Sequence, residues 1–107
     1  MLKTLQQIKD ANEKTGGEWF APEVLSWFGC RISETVFPVA NGALFVTSEK
    51  CRSRRFSLPR KYSVRFCSDE GEIRTVGKFQ AFWTLREAQK QARSLASTWK
   101  EEENEDV

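Results

Sequence analysis

The side chains able to carry chemistry in this chain fall into three groups: three cysteines, a scatter of carboxylates and a dense run of bases. Cys30, Cys51 and Cys67 are spaced by 21 and 16 residues. No two form a Cys-x-x-Cys pair, so neither a metal ribbon nor a thioredoxin-type dithiol is available. Small buried or half-buried thiols in a reducing cytoplasm fit this usage. Cys51 stands among arginines, which lower a thiol pKa, but the chain has no histidine to serve as its base. The same absence removes Ser-His-Asp catalysis, imidazole acid–base work and His-containing zinc sites. Glu34, Glu49, Asp69, Glu70 and Glu72 sit mostly in turns or at strand margins, without a tuned partner for acid–base chemistry. Thr47-Ser48-Glu49 sets two hydroxyls beside a carboxylate where a strand ends, and backbone pairing accounts for them. Gly16-Gly17 follows a helix and lacks the Gly-Lys-Ser/Thr ending of a phosphate loop. The expectation is a non-enzymatic protein with no cofactor and no metal.

The bases are concentrated. Lys50, Arg52, Arg54, Arg55, Arg60, Lys61 and Arg65 fall within residues 50–65 with no acid among them. The formal net charge of +2 conceals this, because Glu101, Glu102, Glu103, Glu105 and Asp106 close the chain. Without residues 101–107 there are 17 bases against 10 acids, a charge of +7. Residues 1–100 therefore read as one domain and 101–107 as an acidic disordered tail. A basic run of this kind is a solvated loop or an interaction arm. Beside Phe56 and Tyr62 it has the parts to neutralise phosphates and stack on unpaired bases. Eight Phe and four Trp are many for one small core, so some rings are expected to be exposed as anchors. The candidate binding residues are Arg52, Arg54, Arg55, Arg60, Lys61 and Arg65, with Trp19, Trp27 and Trp83 as interface aromatics. A protein partner is the leading expectation, and nucleic acid the alternative. Two further expectations are that the acidic tail folds back over the basic run and that an edge strand pairs with a second copy as a homodimer.

These residues need a frame to hold them. Residues 4–15 place Leu5, Ile8 and Ala11 or Asn12 on one helical face, and Gly16-Gly17 ends that helix. Ala21-Pro22-Glu23 opens a short second helix that stops at Gly29. Residues 31–37 are rich in strand formers but run into Pro38, which suits a sheet edge. Asn41-Gly42 signals a type I′ hairpin into a strand at 43–48. In 61–67, Tyr62, Val64 and Phe66 alternate with Lys61, Ser63, Arg65 and Cys67. A turn at 68–71 leads to a last strand from Glu72 to about Phe82, bent at Gly77. Thr84-Leu85-Arg86-Glu87 is a capping box, followed by a stripe of Leu85, Ala88, Ala92, Leu95, Ala96 and Trp99. The order is α-α-β-β-β-β-α: an α+β fold with an antiparallel four-stranded sheet and helices packed on one face, in two layers. The polar side of that sheet, with Arg65, is expected to face outward. Apolar stretches reach four or five residues, so no membrane span is expected. The polar start Met1-Leu2-Lys3-Thr4 lacks a signal peptide's apolar core, pointing to a cytoplasmic protein.

Three blocks in this order, Phe45–Glu49, Pro59–Arg65 and Gly71–Gln80, resemble an uncharacterised family of small domains found in bacteriophages, plasmids and other mobile DNA. Gly17-Glu18-Trp19-Phe20-Ala21-Pro22-Glu23, with Trp27-Phe28 and Arg31, is similar to that family's opening. The resemblance covers roughly residues 4–97 and leaves Cys51–Phe56 and the acidic tail as features of this chain. It implies a stand-alone small domain in a mobile-element setting, with no catalytic residues to carry over.

Overall fold

The computed structural model describes residues 2–50 and 58–99. The elements run α1 (Leu5–Lys14), α2 (Pro22–Trp27), β1 (Arg31–Val39), β2 (Gly42–Glu49), β3 (Lys61–Ser68), β4 (Ile73–Val76) and α3 (Leu85–Thr98). The four strands form one antiparallel meander in the order β1-β2-β3-β4. The α+β class and the element order are those expected from the sequence.

The placement of the helices corrects the two-layer expectation. Leu44, Val46, Val64 and Phe66 pack with Ala88 and Ala92 of α3 on one face of the sheet. Ala43, Phe45 and Cys67 pack on the opposite face with Ile8 of α1, Leu2, Trp19 and Phe20. Alternate residues of one strand thus enter different cores, and every residue of β2 is buried. The helices cover both faces, in three layers. The physical reason lies in Ala43-Leu44-Phe45-Val46, an apolar run with no polar side to give to water.

Local chemistry explains the element ends. Thr4 and Gln7 form a full capping box at α1, with the Gln7 side chain accepting from the Lys3 and Thr4 backbone N–H groups. The Thr84 hydroxyl accepts from the Glu87 N–H at 3.1 Å to start α3. The β1–β2 hairpin exists, but its loop is Ala40-Asn41, with Val39 opposite Gly42. Gln80 alone among the described non-glycine residues has a positive φ, so this loop is not the type I′ turn expected. Gly42 is required for a different reason: a Cβ there collides with the Cys67 carbonyl on β3.

β1 lies at a sheet edge and continues through Pro38, with two extra residues between Ile32 and Val36 where the register shifts. β4 is shorter than expected. It leaves the sheet at Gly77, and only the Tyr62–Phe82 bridge returns to it. None of the helices among the described residues is long and apolar enough to cross a membrane.

Candidate functional site

On the face beneath α2 the sheet changes from apolar to polar as β2 runs toward Glu49. Thr47, Glu49, Ser63 and Arg65 share that face because β2 and β3 pair with Phe45 opposite Arg65 and Thr47 opposite Ser63. The Arg65 guanidinium donates from Nε to Thr47 Oγ1 at 2.9 Å and from Nη2 to Glu49 Oε2 at 3.2 Å. Its Nη1 donates to Thr75 Oγ1 on β4. The ion pair is internal, its side chains exposed by only 11% and 4%. Ser63 donates its hydroxyl to Glu49 Oε1 at 3.4 Å and accepts the Gln80 N–H at 2.7 Å.

The Cys30 thiol faces the same carboxylate, 3.7 Å from Glu49 Oε2. Burial, reinforced by the Glu49 charge, pushes this thiol from the ordinary 9.0 up to about 12. Burial, with Asp69 adding to it, pushes Cys67 up to about 11. Both stay protonated at neutral pH and supply no thiolate nucleophile.

Over this polar floor lies a cavity of about 210 Å³. Trp19, Val24, Leu25, Phe28 and Phe79 supply its apolar lining, and Cys30, Glu49 and Arg65 its polar side. Arg65 Cζ lies 5.4 Å from the Trp19 ring centroid and 5.2 Å from that of Phe79. The Phe79 loop is pinned by Gln80, whose φ of 55° is unusual outside glycine. Its backbone N–H bonds Ser63 and its Nε2 donates to the Glu49 carbonyl at 3.1 Å, offsetting a strain of about 1 kcal/mol.

The structure redistributes the residues expected to bind. Arg65 does not lie on an outward face, because α2 and the Trp19 segment cover it. Arg60 ties α2 to the sheet, its Nη1 donating to the Gly29 carbonyl at 2.8 Å and to Ser48 Oγ at 2.9 Å. Lys61 Nζ sits 4.3 Å above the Trp83 ring. Arg52, Arg54 and Arg55, with Cys51 and Phe56, lie outside the described residues, as does the 101–107 tail. Trp27 and Trp83 are exposed, by 84% and 60%, whereas Trp19 is half-buried with its ring edge-on to Phe20 and Phe45. The Thr47 and Ser48 hydroxyls accept from Arg65 and Arg60, so they serve pairing within the fold.

Sequence reasoning missed Phe28 and Phe79, the exposed part of the cavity lining, and Leu58 and Leu85, the other exposed apolar residues. A signal existed for two of them: Phe28 directly precedes Gly29, and Phe79 stands two residues past Gly77, places where an element ends and a core does not continue. The six large exposed apolar side chains among the described residues gather at one end of the sheet. Trp27 and Phe28 close α2, Leu58 precedes β3, and Phe79, Trp83 and Leu85 lie between β4 and the first turn of α3. Those segments are joined by the Arg60–Gly29 bond, the Gln80–Glu49 bond, the Tyr62–Phe82 bridge and the Lys61–Trp83 contact. Among the described residues no group of three His, Cys, Asp or Glu side chains is placed to hold a metal ion.

Fold and site together define a small α+β domain whose four-stranded meander is covered on both faces and carries an aromatic-walled cavity over an internal ion pair. The chain belongs to the DUF7447 family, a family of unknown function, which it matches over residues 4–93. No curated protein and no solved structure matches it.

Proposed function

We propose that this protein is a non-enzymatic accessory module that acts by binding a partner protein through the end of the sheet where the aromatic side chains are exposed. The observation that carries this reading is the gathering of Trp27, Phe28, Leu58, Phe79, Trp83 and Leu85 at that one end. Isolated surface hydrophobics are ordinary, but large side chains gathered at one end, with Phe28 and Phe79 among them lining a cavity, are the usual anchors of an interface. The resemblance to domains of mobile DNA supports a mobile-element setting, and unpaired cysteines support a cytoplasmic location. The partner in that setting is a host factor or another protein of the element.

The alternative is nucleic-acid binding through Lys61, Trp83 and the segment bearing Arg52, Arg54 and Arg55. The Lys61–Trp83 contact favours it, since a cation beside an exposed ring suits a phosphate and its stacked base. Against it, Arg60 and Arg65 are committed to internal acceptors.

Capture from host extract with and without nuclease separates the two. The protein reading expects nuclease-resistant capture that Trp27→Ala with Phe28→Ala abolishes. Capture lost on nuclease treatment, with an affinity that falls steeply as salt rises and is weakened by Arg54→Glu with Arg55→Glu, establishes the alternative instead.

A further inference from the structure

The cavity beneath α2 is selective in its chemistry. A guanidinium carries five N–H groups. Arg65 donates three to Thr47, Thr75 and Glu49, leaving two without an acceptor among the described residues. Glu49 accepts from Arg65, Ser63 and Cys30, which leaves its carboxylate capacity for another donor. The polar side of the cavity therefore presents a fixed donor beside a fixed acceptor, and the pair together is neutral. The opposite walls are rings and aliphatic side chains.

Those features eliminate most occupants. A wholly apolar side chain buries the spare Arg65 N–H groups with nothing to receive them. A carboxylate sets a second negative charge beside Glu49, and an ammonium sets a second positive charge beside Arg65. A neutral hydroxyl accepts from Arg65 and donates to Glu49 at once. A flat apolar body below that hydroxyl matches the Trp19, Phe28 and Phe79 walls. A volume of about 210 Å³ has room for one ring.

We propose that this cavity receives the phenol ring of a tyrosine presented by an acidic segment of the partner protein. The proposal rests on the reading of this end as a protein-binding surface and names what that surface recognises. The acidic character follows from charge complementarity. Lys50 follows β2, Lys61 opens β3 and Lys78 follows β4, so three lysines flank this end.

The full chain, labelled with ¹⁵N, allows the test. The Arg65 Nε–H and Trp19 indole N–H signals are followed by NMR while p-cresol, and separately toluene, is added. Both signals are expected to shift with p-cresol, which binds at least about tenfold more tightly than toluene because its hydroxyl adds one bond from Arg65 and one to Glu49. Equal affinities, or p-cresol shifting neither signal, overturn the assignment. Phe79→Ala removes an exposed wall, and with it the ring 5.2 Å from Arg65 Cζ, while every hydrogen-bond partner of the Arg65–Glu49 pair stays in place; it is expected to weaken p-cresol by at least about threefold. An unchanged affinity in that variant overturns the assignment as well.

A second arm uses a short Asp/Glu-rich peptide with one central Tyr. It is expected to outcompete both its Phe analogue and a Lys-rich Tyr analogue by about tenfold. Parity with the Phe analogue removes the tyrosine, parity with the Lys analogue removes the acidic segment, and displacement of p-cresol by oligo(dT) assigns the cavity to a nucleobase. Should the small-molecule arm fail while nuclease-resistant, Trp27-dependent capture persists, the tyrosine assignment falls and the binding surface stands. Should capture fail while p-cresol binds, the reverse holds.

Discussion

At the hairpin end of the sheet, side chains and backbone close on one another. Asn12, buried in α1, donates to the Gly71 carbonyl at 2.9 Å and accepts the Trp19 N–H at 3.3 Å. Asp69 N–H reaches the Asn41 carbonyl, and the Trp99 indole donates to Asn41 Oδ1 at 2.9 Å. At the other end the sheet is met by the C-terminus of α2, the Phe79 loop and the start of α3, and there the rings face outward. The difference teaches where each end spends its interactions. One end satisfies the buried polar groups of three connections with each other, which fixes the fold. The other holds the Arg65–Glu49 pair beneath a cavity with hydrogen-bonding capacity to spare and leaves apolar surface uncovered, a cost to an isolated domain that binding recovers.

The sharpest way to break this comparison is to disturb the closed end. Gly71 has a φ of 97°, and a Cβ there collides with the Ala11 carbonyl of α1. Gly71→Ala is expected to cost about 4 kcal/mol from backbone strain and overpacking together, read as a lower urea midpoint. A loss below about 1 kcal/mol, the cost of an unhindered change, shows that this end is not rigid. Next, Glu49→Ala leaves Arg65 without its counter-charge and is expected to cost about 3 kcal/mol. Removing the Arg65 partner also frees the guanidinium, so the Arg65 Nε–H signal shifts even where the fold survives.

A smaller effect comes from pH. The Cys30 and Cys67 thiols titrate higher in the folded protein than in the unfolded chain, so their contribution is complete below about pH 9. Above it the unfolded chain loses protons that the folded protein keeps. Stability therefore falls as pH rises from 9 toward 11 and 12. Cys30→Ser is expected to show a shallower alkaline loss than the parent in chemical unfolding at pH 8 and pH 10.5. The least effect on folding belongs to Trp27→Ala at the open end, within about 0.5 kcal/mol of the parent, because that ring is exposed. A larger cost means that Trp27 supports the fold, and the contrast between the ends weakens accordingly.

Much of the frame was legible because it is local. The Thr84 cap, the Ala88–Ala92 stripe and the alternation through Tyr62, Val64 and Phe66 each follow from neighbours in sequence. What escaped depends on distant pieces. Arg65 meets Glu49 only once β2–β3 register is set, and its burial depends on α2, which carries no sequence mark of the face it covers. Asn41-Gly42 carried a genuine hairpin signal, but the glycine answers to the approach of β3 rather than to turn geometry. Covering of both faces was readable in Ala43–Val46, four apolar residues in succession, where a sheet with one wet side would alternate.

The Trp99 ring lies 5.0 Å from Phe66, inclined by 27°, with the Arg74 guanidinium 5.0 Å from Phe66 and 5.7 Å from Trp99. Family membership is recognised over residues 4–93, so this lid on the core sits past the recognisable stretch. A version trimmed at residue 93 would keep every family feature and still uncover Phe66, along with the groove that Leu95 and Ala96 fill. The unit that folds is longer than the unit that identifies.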